Sequence, residues 1–409
     1  MYRKIWCRGK VTREPLFFHG LPPLSLYVHV PWCERKCPYC DFNSHARQGP
    51  LPQRQYVDAL LADLDQELPR IWGRRLSSIF IGGGTPSLLQ AEIVDSLLSG
   101  IRSRIACAPD IEVTMEANPD SSDCKKFSEF RSAGVNRLSI GVQSFNSDLL
   151  QRIGRVHDGV SAVQAVSAAI AAGFENFNLD LMYALPGQCI DMAATDISTA
   201  LSFHPPHVSC YQLTIEPNTA FAVHPPAVPD EDEGGLMQAH TEKALHESGY
   251  THYEVSAHAK NGRVCRHNLN YWQFGDYVGI GAGAHSKVTL ADRVLRTWKI
   301  KHPTAYLNKA HTKKRVGGEK LLSAEEIRFE FMLNALRLRQ PVSSILFQQR
   351  TGQPIARMKA QLAKAQSAGF LQFDDQNIET TALGRRFLND LLQQFLPEPG
   401  NLTFRQLPA

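Results

Sequence analysis

Between residues 24 and 255, short apolar runs alternate with longer stretches whose apolar positions recur every three or four residues. Residues 26–30, 78–81, 112–117, 137–142, 176–182 and 208–215 read as strands. The segments between them are amphipathic. In the first, Val57, Leu60, Leu61, Leu64 and Leu68 share a helical face and Gly73 follows as a stop. Five βα crossovers of this kind predict an α/β fold, a parallel sheet with helices packed outside it. Six strands suit either an incomplete barrel or an open doubly wound sheet. Polar and Gly-rich residues cluster just after the strands, at the C-terminal ends where both architectures place ligands.

Downstream the pattern weakens. Residues 217–235 are rich in Pro and acid and read as a surface loop, and residues 251–300 are less regular with several aromatics. Basic, Gly-containing residues 313–318 look like a linker. Ser323-Ala-Glu-Glu326 is a capping-box start for a helix, and a second helix is expected near Pro354 with Ile355, Met358 and Leu362 on one face. A short strand pair and a final helix over 383–395 would complete a small helical or winged-helix-like domain. The expected division is an N-terminal arm (1–21), a βα unit (22–255), an irregular extension and linker (256–318), a C-terminal domain (319–396) and a tail (397–409).

Charge narrows the partners. The 409 residues carry 44 basic and 40 acidic groups, and a net charge of +4 is too small for general attraction to nucleic acid or membrane surfaces. No apolar run is long enough to span a membrane. Residues 321–395 hold nine basic and seven acidic side chains, so the C-terminal domain reads as a lid or docking module and not as a DNA reader. Nine scattered cysteines, an odd number, argue against a secreted disulfide framework and for a cytoplasmic protein.

Three of those cysteines fall within eight residues, as Cys33-x3-Cys37-x2-Cys40. Pro31 and Pro38 favour a loop over a helix there, and a loop can turn three thiolates toward one centre. Structural zinc wants a fourth ligand, for which distant Cys265 with His267 is the one tempting completion. A four-iron cubane can be held by three Cys with one iron left open, and thiolate-rich sites favour such clusters. Three unrelated thiols in a loop is the remaining alternative. The run Gly82-Gly83-Gly84-Thr85-Pro86 ends the second strand, as a close backbone approach to a ligand or as a tight turn; it is no P-loop. Glu116, Gln143 and Asp180 stand at or near strand ends, where they can hydrogen-bond a ribose or an amino group or serve as structural pairs. Gly279-Ile-Gly281-Ala-Gly283 lacks the βαβ setting of a dinucleotide loop and is expected to face the cofactor, with His285 beside it.

The cysteine spacing directly after a first strand, with an aromatic before the third Cys, resembles the radical S-adenosylmethionine (SAM) superfamily. The longer words SLYVHVPWCERKCPYCDFNSH, GGGTPSLL, TMEANP, NRLSIGVQSF, FNLDLMYALPGQ, YQLTIEPNT and HNLNYWQFGDYVGIGAGAH together resemble the HemW-type heme chaperones. These are relatives of the oxygen-independent coproporphyrinogen III dehydrogenases, and the likeness runs from about residue 22 to 396. It implies a partial (βα)6 TIM-like barrel followed by the C-terminal domain. It further implies that Cys33, Cys37 and Cys40 hold a 4Fe–4S cluster whose open iron binds the amino and carboxylate groups of SAM. Tyr27, Tyr39 and Phe42 would lie near that cofactor, Gly83, Gly84 and Thr85 would receive its amino group, and Glu116 would contact it. Gln143, Arg155 and Asp180 match positions that hold a second SAM in the dehydrogenases; each has a structural alternative. His267, Tyr271 and Trp272 match a word associated with heme, in which the imidazole would ligate iron, the aromatics would cover the porphyrin, and Arg263 and Arg266 would meet propionates. A hydrogen-bonded loop histidine is the bland alternative, and Cys265 a lesser ligand candidate. Heme, a heme-acceptor protein, an electron donor and a cluster-dependent homodimer are the implied partners. The competing activity is radical oxidative decarboxylation of coproporphyrinogen III. The dehydrogenases carry a further Cys two positions after the third cluster Cys, where this chain has Phe42, and a longer arm than the 32 residues before Cys33. Both departures favour the chaperone.

Overall fold

The computed structural model describes residues 16–119 and 124–397. The N-terminal arm as far as residue 15 and the tail from 398 lie outside the described residues.

Six parallel strands run in sequence order: β1 (Leu24–Val30), β2 (Leu76–Gly83), β3 (Cys107–Ala117), β4 (Arg137–Gln143), β5 (Phe177–Tyr183) and β6 (His207–Gln212). Helices α1 (Gln53–Glu67), α2 (Ala91–Arg102), α3 (Cys124–Ser132), α4 (Ser147–Arg152), α5 (Gly159–Ala171) and α6 (Ile190–Ser202) form the crossovers. Their apolar stripes cover the outer face of the sheet; in α2, Ile93, Val94, Leu97, Leu98 and Ile101 are all buried. Each such side chain taken out of water contributes about 1.5–3 kcal/mol. The array is a partial (βα)6 barrel, because β6 does not return to β1.

The two flanks are finished by what looked irregular in the sequence. Beyond β6 lie antiparallel β7 (Thr251–Glu254) and β8 (Ala257–Ala259), with β8 paired to β6. On the other side β9 (Asp276–Ile280) pairs parallel with β1, and β10 (His285–Leu290), β11 (Arg293–Lys299) and β12 (Val316–Leu321) follow antiparallel. Half of residues 251–300 are therefore strand; short hairpin strands without strict alternation concealed them. Residues 313–318 are no linker either. Val316 opens the edge strand, and Arg315 is buried with Lys299 against Asp63 and Glu67 of α1. The acidic end of the supposed surface loop is the first turn of α7 (Glu231–Glu247), where Asp230 and Glu233 form a capping box. Three acids there match the positive end of the helix dipole.

The C-terminal domain has its own core of Phe331, Phe347, Leu362, Ile378 and Leu391. Its helix α9 (Ala324–Ala335) begins at the expected Ser323–Glu326 capping box. A three-stranded antiparallel sheet gives the winged-helix-like shape. The expected final helix is broken in two around Phe387, and Ser344–Thr351 is a helix that the sequence reading missed. Leu16 and Phe18 pack on this core, and Phe17 N–H donates to the Gly352 carbonyl at 3.0 Å, so the chain returns to its own beginning. Among the described residues no helix is long and apolar enough to cross a membrane.

Candidate functional site

The cysteine loop leaves the C-terminal end of β1 and is held on several sides. His45 N–H donates to the Pro31 carbonyl, and Arg47 N–H to that of Cys33. Asn43 Nδ2 donates to the carbonyls of Ala282 and Lys301, each at 2.9 Å. Tyr39 packs into a small apolar cluster with Leu149, Leu150 and Phe221, which anchors the middle of the loop. Phe42 is exposed.

The three cysteines lie on one short loop, close enough for Cys37 and Cys40 to influence Cys33 electrostatically. Burial pushes the Cys33 thiol up, the Thr85 hydroxyl pulls it down, and Cys40 and Cys37 lie near enough to oppose its ionisation further. Among the described residues no three donors are gathered at the spacing of a single metal ion. A cubane needs no such gathering, since each cysteine binds a different corner iron. The donor set therefore fits a cluster better than zinc, and neither Cys265 nor His267 completes it. Arg155 bridges the loop to the sheet: its Nη1 lies 3.7 Å from Cys37 Sγ, and its Nη2 donates to Asn118 Oδ1 at 2.9 Å and to the Gly141 carbonyl at 2.7 Å.

The glycine run is required by the protein itself. Gly83 has φ +122°, and a Cβ there would meet His29 Cε1 at 2.6 Å; one on Gly84 would meet the Trp32 carbonyl oxygen at 2.4 Å and Cys33 Sγ at 3.0 Å. The end of β2 thus lies directly against the cysteine loop, with Gly84 and Thr85 N–H donating to the carbonyls of Val30 and Trp32. Gly83 N–H in turn donates to Glu116 Oε2 at 2.9 Å. The Gly279–Gly283 loop acts similarly. Gly281 and Gly283 leave room for the His29 carbonyl and for Asn43, so it supports the cysteine loop from behind, and exposed His285 stacks on Trp298.

Within the barrel, Tyr27, Phe80, Gly82 and Glu116 share the interior with Asp180 and Arg137. Burial pushes Glu116 up to about 8, against the pull of the Gly83 N–H and with help from the Asp180 carboxylate. Burial also raises Asp180, although Ser139 and Asn178 donate to it at 2.9 Å each. Gln143, at φ +66°, ends β4 with its amide beside Gly141, close to the Arg155 guanidinium. A carboxyl whose folded-state pKa lies above its unfolded value adds stability at low pH, and that contribution is lost as pH rises through the folded value. Glu116→Gln is therefore expected to gain stability over the parent from about pH 4.3 up to about pH 8, then level off. Urea denaturation of both proteins at several pH values measures this; a difference independent of pH would contradict it.

The heme word is not a loop but a short helix, α8 (Arg266–Trp272), seated on the inner faces of β1 and β2. His267 is 1% exposed. Its Nδ1 lies 3.0 Å from Ser78 Oγ and its Nε2 2.9 Å from Tyr271 Oη. Both ring nitrogens are thus hydrogen-bonded within the protein. Trp272 lies under the Arg337 guanidinium, Arg266 pairs with Asp110 at 2.7 Å, and Cys265 is buried as the residue preceding the helix. Sequence reasoning missed His29, Asn43, Ser78, Phe80 and Asn118. Asn118 stands inside the quoted TMEANP word and His29 and Asn43 inside the first word, so those three carried a signal; Ser78 and Phe80 read only as strand.

The Radical SAM superfamily pattern matches residues 27–198, and the HemN C-terminal domain pattern matches residues 322–387. The heme chaperone HemW of Escherichia coli (strain K12) is 46% identical over 92% of this chain and 99% of that protein. The Haemophilus influenzae and Mycobacterium tuberculosis proteins of the same name are 45% and 35% identical, over 92% and 94% of this chain and 99% of each. Among solved structures, coproporphyrinogen III oxidase (HemN) from Escherichia coli, a radical SAM enzyme, superposes with a TM-score of 0.78 at 23% identity, over 92% of this chain and 90% of that one. That likeness speaks to the fold alone. The matches to proteins named HemW span nearly all of both sequences, and on that ground the chain belongs to the HemW heme-chaperone family within the radical SAM superfamily.

Proposed function

We propose that this chain is a cytoplasmic heme chaperone that holds a 4Fe–4S cluster and SAM at the C-terminal ends of its barrel strands and hands heme to an acceptor protein. The observation that carries the reading is the convergence of Cys33, Cys37 and Cys40 beside Gly83, Thr85 and Glu116, in a chain whose near-full-length relatives are named heme chaperones. A cluster bound there would supply a one-electron reductant with one exchangeable iron. The protein's own part is positional. Cys33, Cys37 and Cys40 supply three sulfur donors, and Arg155 sets a positive charge 3.7 Å from Cys37 Sγ. Glu116 and the β2 end present a carboxyl group and backbone to an amino group. Tyr27, whose hydroxyl lies 2.9 Å from His29 Nδ1, forms an interior wall. Phe42 stands where the dehydrogenases carry a further cysteine, which favours the chaperone over coproporphyrinogen III decarboxylation.

The test is oxygen-free reconstitution with iron and sulfide, followed by quantitation of iron, sulfide and SAM on one sample. About four irons per chain are expected, with loss of nearly all of them in a Cys33, Cys37, Cys40 triple alanine variant. Heme loaded on the reconstituted protein should move to an apo-acceptor hemoprotein. A colourless protein, or unchanged iron in the triple variant, would refute the cluster. Formation of protoporphyrinogen IX from coproporphyrinogen III, SAM and a reductant would favour the enzyme instead.

A further inference from the structure

We infer that Asn118 is a positioning residue of the cysteine loop, an inference that rests on the reading of that loop as a cluster site. Its side-chain amide aims one hydrogen-bond donor at Cys33 and another at Cys37, and so raises the reduction potential of the cluster bound there.

Asn118 follows directly on β3 and stands between the two donors. Arg155 Nη2 donates to its Oδ1 at 2.9 Å, and its Nδ2 lies 3.0 Å from Thr85 Oγ1. The guanidinium fixes the proton directions along this chain. Arginine can only donate, so the amide atom facing it is the oxygen, and the atom facing Thr85 is the nitrogen. That nitrogen in turn only donates. The Thr85 hydroxyl therefore accepts from Asn118 and keeps its own proton for the Cys33 sulfur, with which it is hydrogen-bonded. At the other end Arg155 Nη1 lies 3.7 Å from Cys37 Sγ. Two of the three sulfur donors are thus reached from one amide.

The surroundings hold this chain in place. Thr85 is 2% exposed, and its N–H donates to the Trp32 carbonyl at 2.8 Å. Arg155 Nη2 also donates to the Gly141 carbonyl at 2.7 Å. A Cβ on Gly141 would meet Asn118 Oδ1 at 3.3 Å and Arg155 Nη2 at 3.5 Å, so the glycine keeps room for that contact. Reduction of a bound cluster adds negative charge that its sulfurs share, and donors aimed at those sulfurs favour the reduced form. Asn118→Asp reverses one link. A carboxylate has no proton to give, so it takes the Thr85 proton for itself while still accepting from Arg155. The Cys33 sulfur then loses its donor.

The experiment uses full-length, anaerobically reconstituted protein, with the cluster potential read by EPR during titration with dithionite and redox mediators. Asn118→Asp is expected to shift the reduced-to-oxidised ratio about 10-fold or more toward the oxidised form, a fall of about 59 mV or more for a one-electron couple. Asn118→Ala removes both links without adding charge and should shift the ratio the same way; it serves where the aspartate variant takes up no iron. Thr85→Val keeps the branched shape without the hydroxyl and should lower the potential too, while Thr85→Ser should match the parent. Because Asn118 reaches Cys33 through Thr85, Asn118→Asp should lower the potential less in the Thr85→Val background than in the parent, as coupled sites do. Full additivity of the two changes would mark a plain charge effect and overturn the inference, as would a parent-like potential in Asn118→Ala or in Thr85→Val. A parent protein that takes up no cluster overturns the functional reading itself, and is visible before any variant is compared.

Discussion

Gly84→Ala is expected to strip most of the iron from reconstituted protein, although no ligand is changed. A methyl group on Gly84 would sit 2.4 Å from the Trp32 carbonyl oxygen and 3.0 Å from Cys33 Sγ. The first distance is far inside van der Waals contact, and the atom it meets is backbone, which cannot rotate away. Either the cysteine loop lifts off the end of β2 or β2 shifts. Both break the Gly84 N–H bond to the Val30 carbonyl at 2.7 Å and the Thr85 N–H bond to that of Trp32 at 2.8 Å. The Thr85 hydroxyl, which pulls the Cys33 thiol down, is displaced with them. Iron content, visible absorbance and SAM binding report the effect. A fall of at least 10-fold in SAM affinity, with circular dichroism unchanged, is the expected pattern, by the same outer-partner scale. Parent-like iron content in Gly84→Ala would contradict the close packing of strand end and loop.

Lys299→Met is expected to be the most damaging single change away from the cluster. Lys299 Nζ lies 2.9 Å from Asp63 Oδ1 and 2.6 Å from Glu67 Oε1, Arg315 joins the same two carboxylates, and all four side chains are at most 4% exposed. Two positive and two negative groups balance. Removing one cation leaves an uncompensated buried carboxylate, a loss of about 3–5 kcal/mol. Burial opposes ionisation of Glu67, yet Lys299, with Arg70 and Arg315, holds it below the usual carboxylate range. A depressed folded-state value gives stability above the unfolded pKa and loses it as pH falls through the folded one. The variant's deficit should therefore shrink in acid. Adding Glu67→Gln restores the balance and should recover part of the loss. Urea denaturation of the single and double variants decides it; a single-variant cost under about 1 kcal/mol, the range of exposed pairs, would show that the cluster is not tightly coupled.

The parallel strands were legible because each is an apolar run bounded by a polar helical stretch, and all six lie within a few residues of their expected positions. Glu116, Gln143 and Asp180 drew attention because each is a polar residue at or near the end of a buried strand. The flank from 251 to 321 was hidden. Its strands are short and mostly antiparallel, and Arg315 of the supposed linker joins Lys299 in neutralising acids of a helix more than 230 positions earlier. Pairings at that separation leave no local periodicity. His267 shows the same limit in another form. Its motif was visible, while Ser78, the hydrogen-bond partner of its Nδ1, read only as part of a strand.

The stapling of the cysteine loop separates folding from metallation. Tyr39 is gripped by Phe221 and α4, Asn43 by two carbonyls from the far side of the sheet, and Cys37 is reached by an arginine anchored on β3 and β4. Domains whose metal is their only core unfold when it is chelated away. Here these contacts hold the loop from three sides, so a cluster bound there would not be its only support. Loss of such a cluster would then call for reloading of the loop and not for resynthesis of the chain.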